Sequence, residues 1–153
     1  MGIAKRSIVL AFLICAVLVA GGCGVIGTAN GSAPRGIKVS FKLDPRVTKS
    51  LYMGERWVSP SSYSAPTQGK ETVIDAKAEA VDASGEAIAA LSPTWTAKDG
   101  SMVSVTPAEG SQVQIRVRQA GESEVRVQAK GLSKTLRVKA VTQGEVLRVT
   151  ITQ

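Results

Sequence analysis

The chain has 153 residues, with 19 Lys+Arg against 12 Asp+Glu for a net charge of +7, two cysteines and no histidine. This length suits one domain with a packed core. The lack of histidine excludes Ser-His-Asp triads and His-ligated metal or haem centres, and no disulfide is expected because Cys15 and Cys23 both lie near the start.

The chain opens with Lys5 and Arg6, then an uncharged apolar run over residues 8–20 that ends in Ala20, Gly21 and Gly22 before Cys23. A positive head, an apolar middle and a small-residue end form an export signal. Ala20-Gly21-Gly22-Cys23 resembles the lipobox of bacterial lipoproteins, with Ala20 where that pattern prefers Leu. The resemblance implies that residues 1–22 are a signal peptide cleaved after Gly22, and that Cys23 is the lipid-attachment residue. One acyl chain holds only marginally at about 0.8 kcal/mol per buried CH2, so the two or more chains of a lipoprotein cysteine are what keep it in the membrane. The rival reading is an uncleaved anchor, since residues 8–26 approach the ~20 apolar residues of a span. Against it, Gly21, Gly22 and Gly24 each cost a helix about 1 kcal/mol relative to Ala. Plain secretion is a third reading. N-myristoylation is rejected, because its motif wants Ser or Thr where Arg6 stands. In the lipoprotein and anchor readings the part after the apolar run is exported. Gly24 rather than Asp after Cys23 implies, by the same resemblance, the outer membrane of a diderm envelope. Losing Lys5 and Arg6 lowers the net charge from +7 to +5. A basic exported domain meets anionic headgroups or acidic envelope polymers rather than nucleic acid.

Residues 23–36 are rich in Gly, Ser, Ala and Asn and read as a flexible tether. Residues 37–68 read as an N-terminal strand plus an aromatic-containing insert packed on the domain. In residues 37–42, Ile37, Val39 and Phe41 alternate with Lys38, Ser40 and Lys42, a half-buried strand that Asp44-Pro45 breaks. Residues 46–68 have no sustained period, yet Tyr52, Trp57 and Tyr63 are three of the five aromatic residues after residue 22. A loop this long inside a compact domain is uncommon, and concentrated aromatics argue against disorder. Tyr52, Trp57 and Tyr63, with Arg56, are the candidate partner-binding residues, since flat rings stack on sugars or partner side chains. The competing reading is that the rings fold back and cap an open end of the domain.

Residues 69–153 carry regular strand signals. Ile74, Ala76, Ala78 and Ala80 share one face, with Asp75, Lys77 and Glu79 opposite, and a turn follows at residues 82–85. Strands are expected over 93–98 with Trp95, over 102–106, and over 112–118 with Val113, Ile115 and Val117 inward. A further strand opens at Gly121 with Val125, Val127 and Ala129 inward. Lys130-Gly131 turns into a strand with Leu136, Val138 and Ala140, and Leu147, Val149 and Ile151 make the last. Short strands about ten residues apart with Gly and Pro turns predict an all-β antiparallel sandwich.

The stretch from Thr72 to Asp82, the turn Gly85, Pro93-Thr94-Trp95-Thr96, Val103-Ser104-Val105 and Ala120-Gly121 before the Val125-Arg126-Val127 strand together resemble a bacterial Ig-like domain of group 2, the intimin- and invasin-type kind. The resemblance covers roughly residues 72–141 and implies an Ig-like sandwich over 69–153 with Trp95 in the core. It implies a turn at Gly121, where a Cβ would hinder the backbone. The aromatic insert and a strand after Val141 depart from the family pattern.

Arg116, Arg118, Arg126, Lys130, Arg137 and Lys139 are expected outward, but in an Ig-like topology they divide between two sheets and read as solvated faces. Glu122 with Glu124, and Asp75 with Glu79, lack an apolar frame that would separate their pKa values. Oxygen-only Ca2+ binding at Asp82 or Asp99 lacks the acidic run such sites use. The chain is therefore expected to be non-catalytic, with no cofactor and no metal site. It reads as a cell-envelope module, lipid-anchored in the membrane, docking on another envelope protein or an acidic polymer. The alternatives are a surface adhesin or carbohydrate-binding lipoprotein, and a structural spacer.

Overall fold

The computed structural model describes residues 33–43, 56–65 and 69–153, with backbone only at 89 and 90. Cys23, Tyr52 and the signal segment lie outside the described residues, as does most of the tether. The described part is all-β: two antiparallel sheets packed face to face in a β-sandwich, with no helix among the described residues.

The first sheet contains β1 (Gly36–Lys42), β2 (Trp57–Val58), β4 (Thr72–Val81), β5 (Ala87–Ala90), β7 (Val103–Thr106) and β8 (Gln112–Val117). Its order is β2-β1-β4-β8-β7, with β5 also paired to β4. The second contains β3 (Ser62–Ser64), β6 (Thr94–Ala97), β9 (Gly121–Ala129), β10 (Leu132–Gln143) and β11 (Val146–Thr152), in the order β3-β11-β10-β9-β6. The runs β1-β4-β8-β7 and β6-β9-β10 have the ABED and CFG orders of a constant-type immunoglobulin sandwich. β11 extends the second sheet, and β3 then extends it again.

The period-2 pattern sorts the side chains as expected. Ile74, Ala76, Ala78 and Ala80 on β4 are buried, as are Val113, Ile115 and Val117 on β8, Val125 and Val127 on β9, and Leu136, Val138 and Ala140 on β10. Thr72 is the polar member of this inward set. Its Oγ1 donates to the Leu147 carbonyl at 3.2 Å, a buried hydrogen bond from one sheet to the other.

Two segments differ from the sequence reading. Residues 46–68 are not one irregular insert, because the chain places β2 in the first sheet and β3 in the second. Strands of two and three residues are too short to display a period. β5 is an additional strand, joined to β4 across a register shift at Ala80/Val81. Its Ala-Ile-Ala-Ala sequence has weak β preference and no alternation.

The turns use the expected chemistry. Asp82 Oδ1 accepts from the Ser84 N–H at 2.8 Å, the Ser84 hydroxyl at 2.6 Å and the Glu86 N–H at 3.1 Å. Asp99 Oδ1 accepts from the N–H and hydroxyl of Ser101 and the Met102 N–H. The serine hydroxyl is the main cause that holds each carboxyl below its ordinary range. Both carboxylates thus cap their own turns. Gly121 has φ +145°, and a Cβ there would lie 3.3 Å from Met102 Sδ.

Lys130 and Gly131 join β9 to β10 with φ of +49° and +79°, between the paired residues Ala129 and Leu132. Two positive values make this a type I′ hairpin, which favours Asn-Gly, and a lysine is strained there. Lys130→Asn is expected to raise stability by about 0.5–1 kcal/mol, read as a higher urea midpoint at unchanged slope.

Lys134 shares the inward side of β10 with Leu132 and Leu136 and is half-buried. Desolvation lowers its pKa from 10.5. A lysine with a lowered folded pKa destabilises below that value, and the loss is relieved as pH rises toward 10.5. Lys134→Met should therefore be more stable than the parent near neutrality, with the gap narrowing in urea titrations at rising alkaline pH.

Candidate functional site: the Trp57 face

β2 pairs with β1 in the register Phe41↔Val58 and Lys42↔Trp57. Opposed residues share a face, so Val58 turns inward with Phe41 and packs against the core, while Trp57 turns outward with Lys42. The Leu43 N–H donates to the Arg56 carbonyl at 2.9 Å and closes this ladder. Trp57 is half-buried and Arg56 is exposed beside it. Lys77 places its Nζ 5.7 Å from the indole centroid, a cation–π distance, and also pairs with Glu79 at 3.0 Å.

Trp57, Pro107, Asp75, Gln112 and Gln114 line an open groove of about 450 Å³. It crosses the outer face of the first sheet, because Asp75 opposes Gln114, Lys77 opposes Gln112 and Thr106 opposes Gln114. Its floor is a hydrogen-bonded polar chain. Gln114 Nε2 donates to Asp75 Oδ1 at 3.2 Å, and Arg116 Nη2 donates to Gln114 Oε1 at 3.2 Å. Arg116 Nη1 continues it to Glu71 Oε1 at 3.2 Å, with the Arg118 Nε 3.9 Å from Glu71 Oε2. Such a surface offers one flat apolar face beside oriented amide and carboxylate groups, and its size falls in the range of ligand clefts.

The four aromatic-segment candidates separate. Trp57 and Arg56 adjoin the groove, and Tyr52 lies outside the described residues. Tyr63 belongs to the core: it is 7% exposed, its ring stacks on Phe41 with centroids 4.7 Å apart, and its hydroxyl donates to the Lys42 carbonyl at 3.0 Å. β3 pairs with β11 with Tyr63 opposite Ile151, which turns that ring inward, so its faces are occupied within the protein. Sequence reasoning did not assign Gln112, Gln114 and Pro107 to a site. In the sequence they are only outward strand positions and a turn residue, and it is the sheet order that brings them to Trp57.

The acidic pairs carry ordinary surface chemistry. Glu122 bonds Lys139 at 2.9 Å, which is what lowers its pKa, and Glu124 lies 3.8 Å from Lys98. No protein-family model, curated protein or solved structure matches this chain.

Proposed function

We propose that this protein is a lipid-anchored, non-catalytic binding module of the cell envelope, which docks on another envelope protein through the Trp57 face. Cys23 is the lipid-attachment residue, and the membrane is the outer one where two are present. The observation that carries the docking surface is Trp57 itself, a large ring turned outward by its register with Lys42 above a polar floor. Tryptophan is enriched among residues that dominate binding energy. Exposed Arg56 adds a cation at the rim. The anchor reading is supported by the Ala20-to-Cys23 pattern after an uncharged apolar run.

The test is site-specific photocrosslinking from position 114 of the full chain in native membranes. A single envelope protein is the expected adduct, and Trp57→Ala is expected to reduce it at least tenfold. The ring is half-buried on an outer face, so Trp57→Ala should cost only about 1 kcal/mol of stability. A variant that loses several times that stability and keeps the adduct would show that the ring is there for packing. Intact-mass analysis tests the anchor separately: an unmodified Cys23, or a chain still starting at Met1, would remove it.

An indole beside Asp75 and Gln114 is also the chemistry of a sugar subsite, so a surface-displayed carbohydrate-binding lipoprotein is the second reading. Protease shaving of intact cells separates the two, with survival of the domain expected for docking inside the envelope.

A further inference from the structure

We infer that the outer face of the five-stranded sheet is a second binding site, for an extended acidic polysaccharide, with Arg126 and Arg137 reading its charges. This face is independent of Trp57, which lies on the other sheet.

The ladder sets its outward residues in rows. Thr96 and Thr135 flank Arg126 on either side. In the next row Arg137 lies between Glu124 and Thr152, and Thr152 opposes Ser62. Three adjoining hollows that share Glu124 merge here into one trough across β6, β9 and β10, the largest of about 780 Å³. Its lining is hydroxyl, amide and charge, with no exposed apolar side chain.

The charge does not balance. Lys139 takes Glu122 and Lys98 takes Glu124. Among the described residues no carboxylate lies within ion-pair distance of Arg126 or Arg137. Arg137 opposes Thr152 and Glu124, and Arg126 opposes Thr135 on β10, so the two guanidinium groups stand on diagonal positions of neighbouring strands, about 7–8 Å apart at the backbone. Two unspent forks at this spacing suit successive carboxylates on one chain, since arginine binds a carboxylate through two parallel hydrogen bonds. The hydroxyls of Thr96, Thr135, Thr152 and Ser62 suit the hydroxyl groups of sugars.

Other polyanions fit less well. A protein partner finds no apolar pocket for its anchors, and a nucleic acid finds no aromatic side chain on which to stack a base. A bilayer presents a flat surface and favours apolar residues that insert, whereas this site is recessed and polar.

The test is calorimetric titration of the full chain in neutral detergent micelles with polygalacturonate and with its fully methyl-esterified form, which keeps the backbone and loses the charge. The acid polymer is expected to bind with an affinity that falls as salt rises, and the ester at least tenfold more weakly. Arg126→Gln with Arg137→Gln is expected to weaken the acid polymer at least tenfold, and Trp57→Ala to leave it unchanged. Both arginines are exposed and outside any ion pair among the described residues, so the double variant should match the parent in circular dichroism. If it does not fold, the acid-to-ester ratio on the parent chain still decides. Failure of the acid polymer to bind, equal binding of the ester, or undiminished binding by a folded double variant would overturn the site. Equal affinity for single-stranded DNA or anionic vesicles, lost in the same variant, would overturn the polysaccharide assignment.

Discussion

Trp95→Ala is expected to lower stability by about 3–5 kcal/mol, against about 5–15 kcal/mol for a whole domain. Trp95 is 3% exposed, on the edge strand β6. Its indole N–H donates to the Gly110 carbonyl at 3.0 Å, while its backbone N–H donates to the Ala108 carbonyl at 2.8 Å. The Gly110 N–H returns to the Pro93 carbonyl at 3.0 Å, and Thr94 bridges Glu109. The ring therefore fills the core and pins the segment that covers the open edge of β6. An uncovered edge invites pairing with other chains, so the Ala variant should also aggregate during refolding. Trp95→Phe keeps most of the volume and loses the side-chain hydrogen bond, worth about 1 kcal/mol, plus the smaller ring. Urea unfolding checks both, with a lower midpoint and an unchanged slope for a purely native-state loss. A loss under about 1 kcal/mol for Trp95→Ala would contradict the core assignment.

Phe41→Ala is expected to cost a similar ~3–5 kcal/mol. Phe41 is fully buried on β1 in one sheet, and Tyr63, stacked upon it, comes from β3 in the other. The pair is a rivet between the sheets at the point where the chain crosses from one to the other. A double-mutant cycle of Phe41→Leu with Tyr63→Leu should give a coupling of about 0.5–1.5 kcal/mol, the excess that stacked rings contribute beyond burial. Tyr63→Phe should cost only about 1 kcal/mol, for its bond to the Lys42 carbonyl. Additive losses in the cycle would mean that the two rings share the core without a specific contact.

Residues 72–81 are readable in the sequence because β4 alternates without interruption and its inward members are mostly apolar. The hairpin at Lys130 and the start of β9 at Gly121 are readable because positive φ is a local demand that glycine meets. Residues 57–58 and 62–64 are not, since a strand of two or three residues has no period to detect. The candidate site is half legible: Trp57 stands out by type, whereas Gln112 and Gln114 become its neighbours only through the pairing of β8 with β4.

Alternation, turn residues and the choice of inward side chains lie along single segments. They suffice to specify an all-β chain with Trp95, Val113, Ile115, Val125, Leu136 and Val138 in its core. Long-range pairing is what turns Trp57 outward and Tyr63, six residues later, inward. Each ring takes its side from the strand it pairs with, β1 for one and β11 for the other, and no local pattern encodes that choice. The same holds for Arg126 and Arg137, whose surplus charge emerges only once Lys98 and Lys139 have claimed the two glutamates of that face.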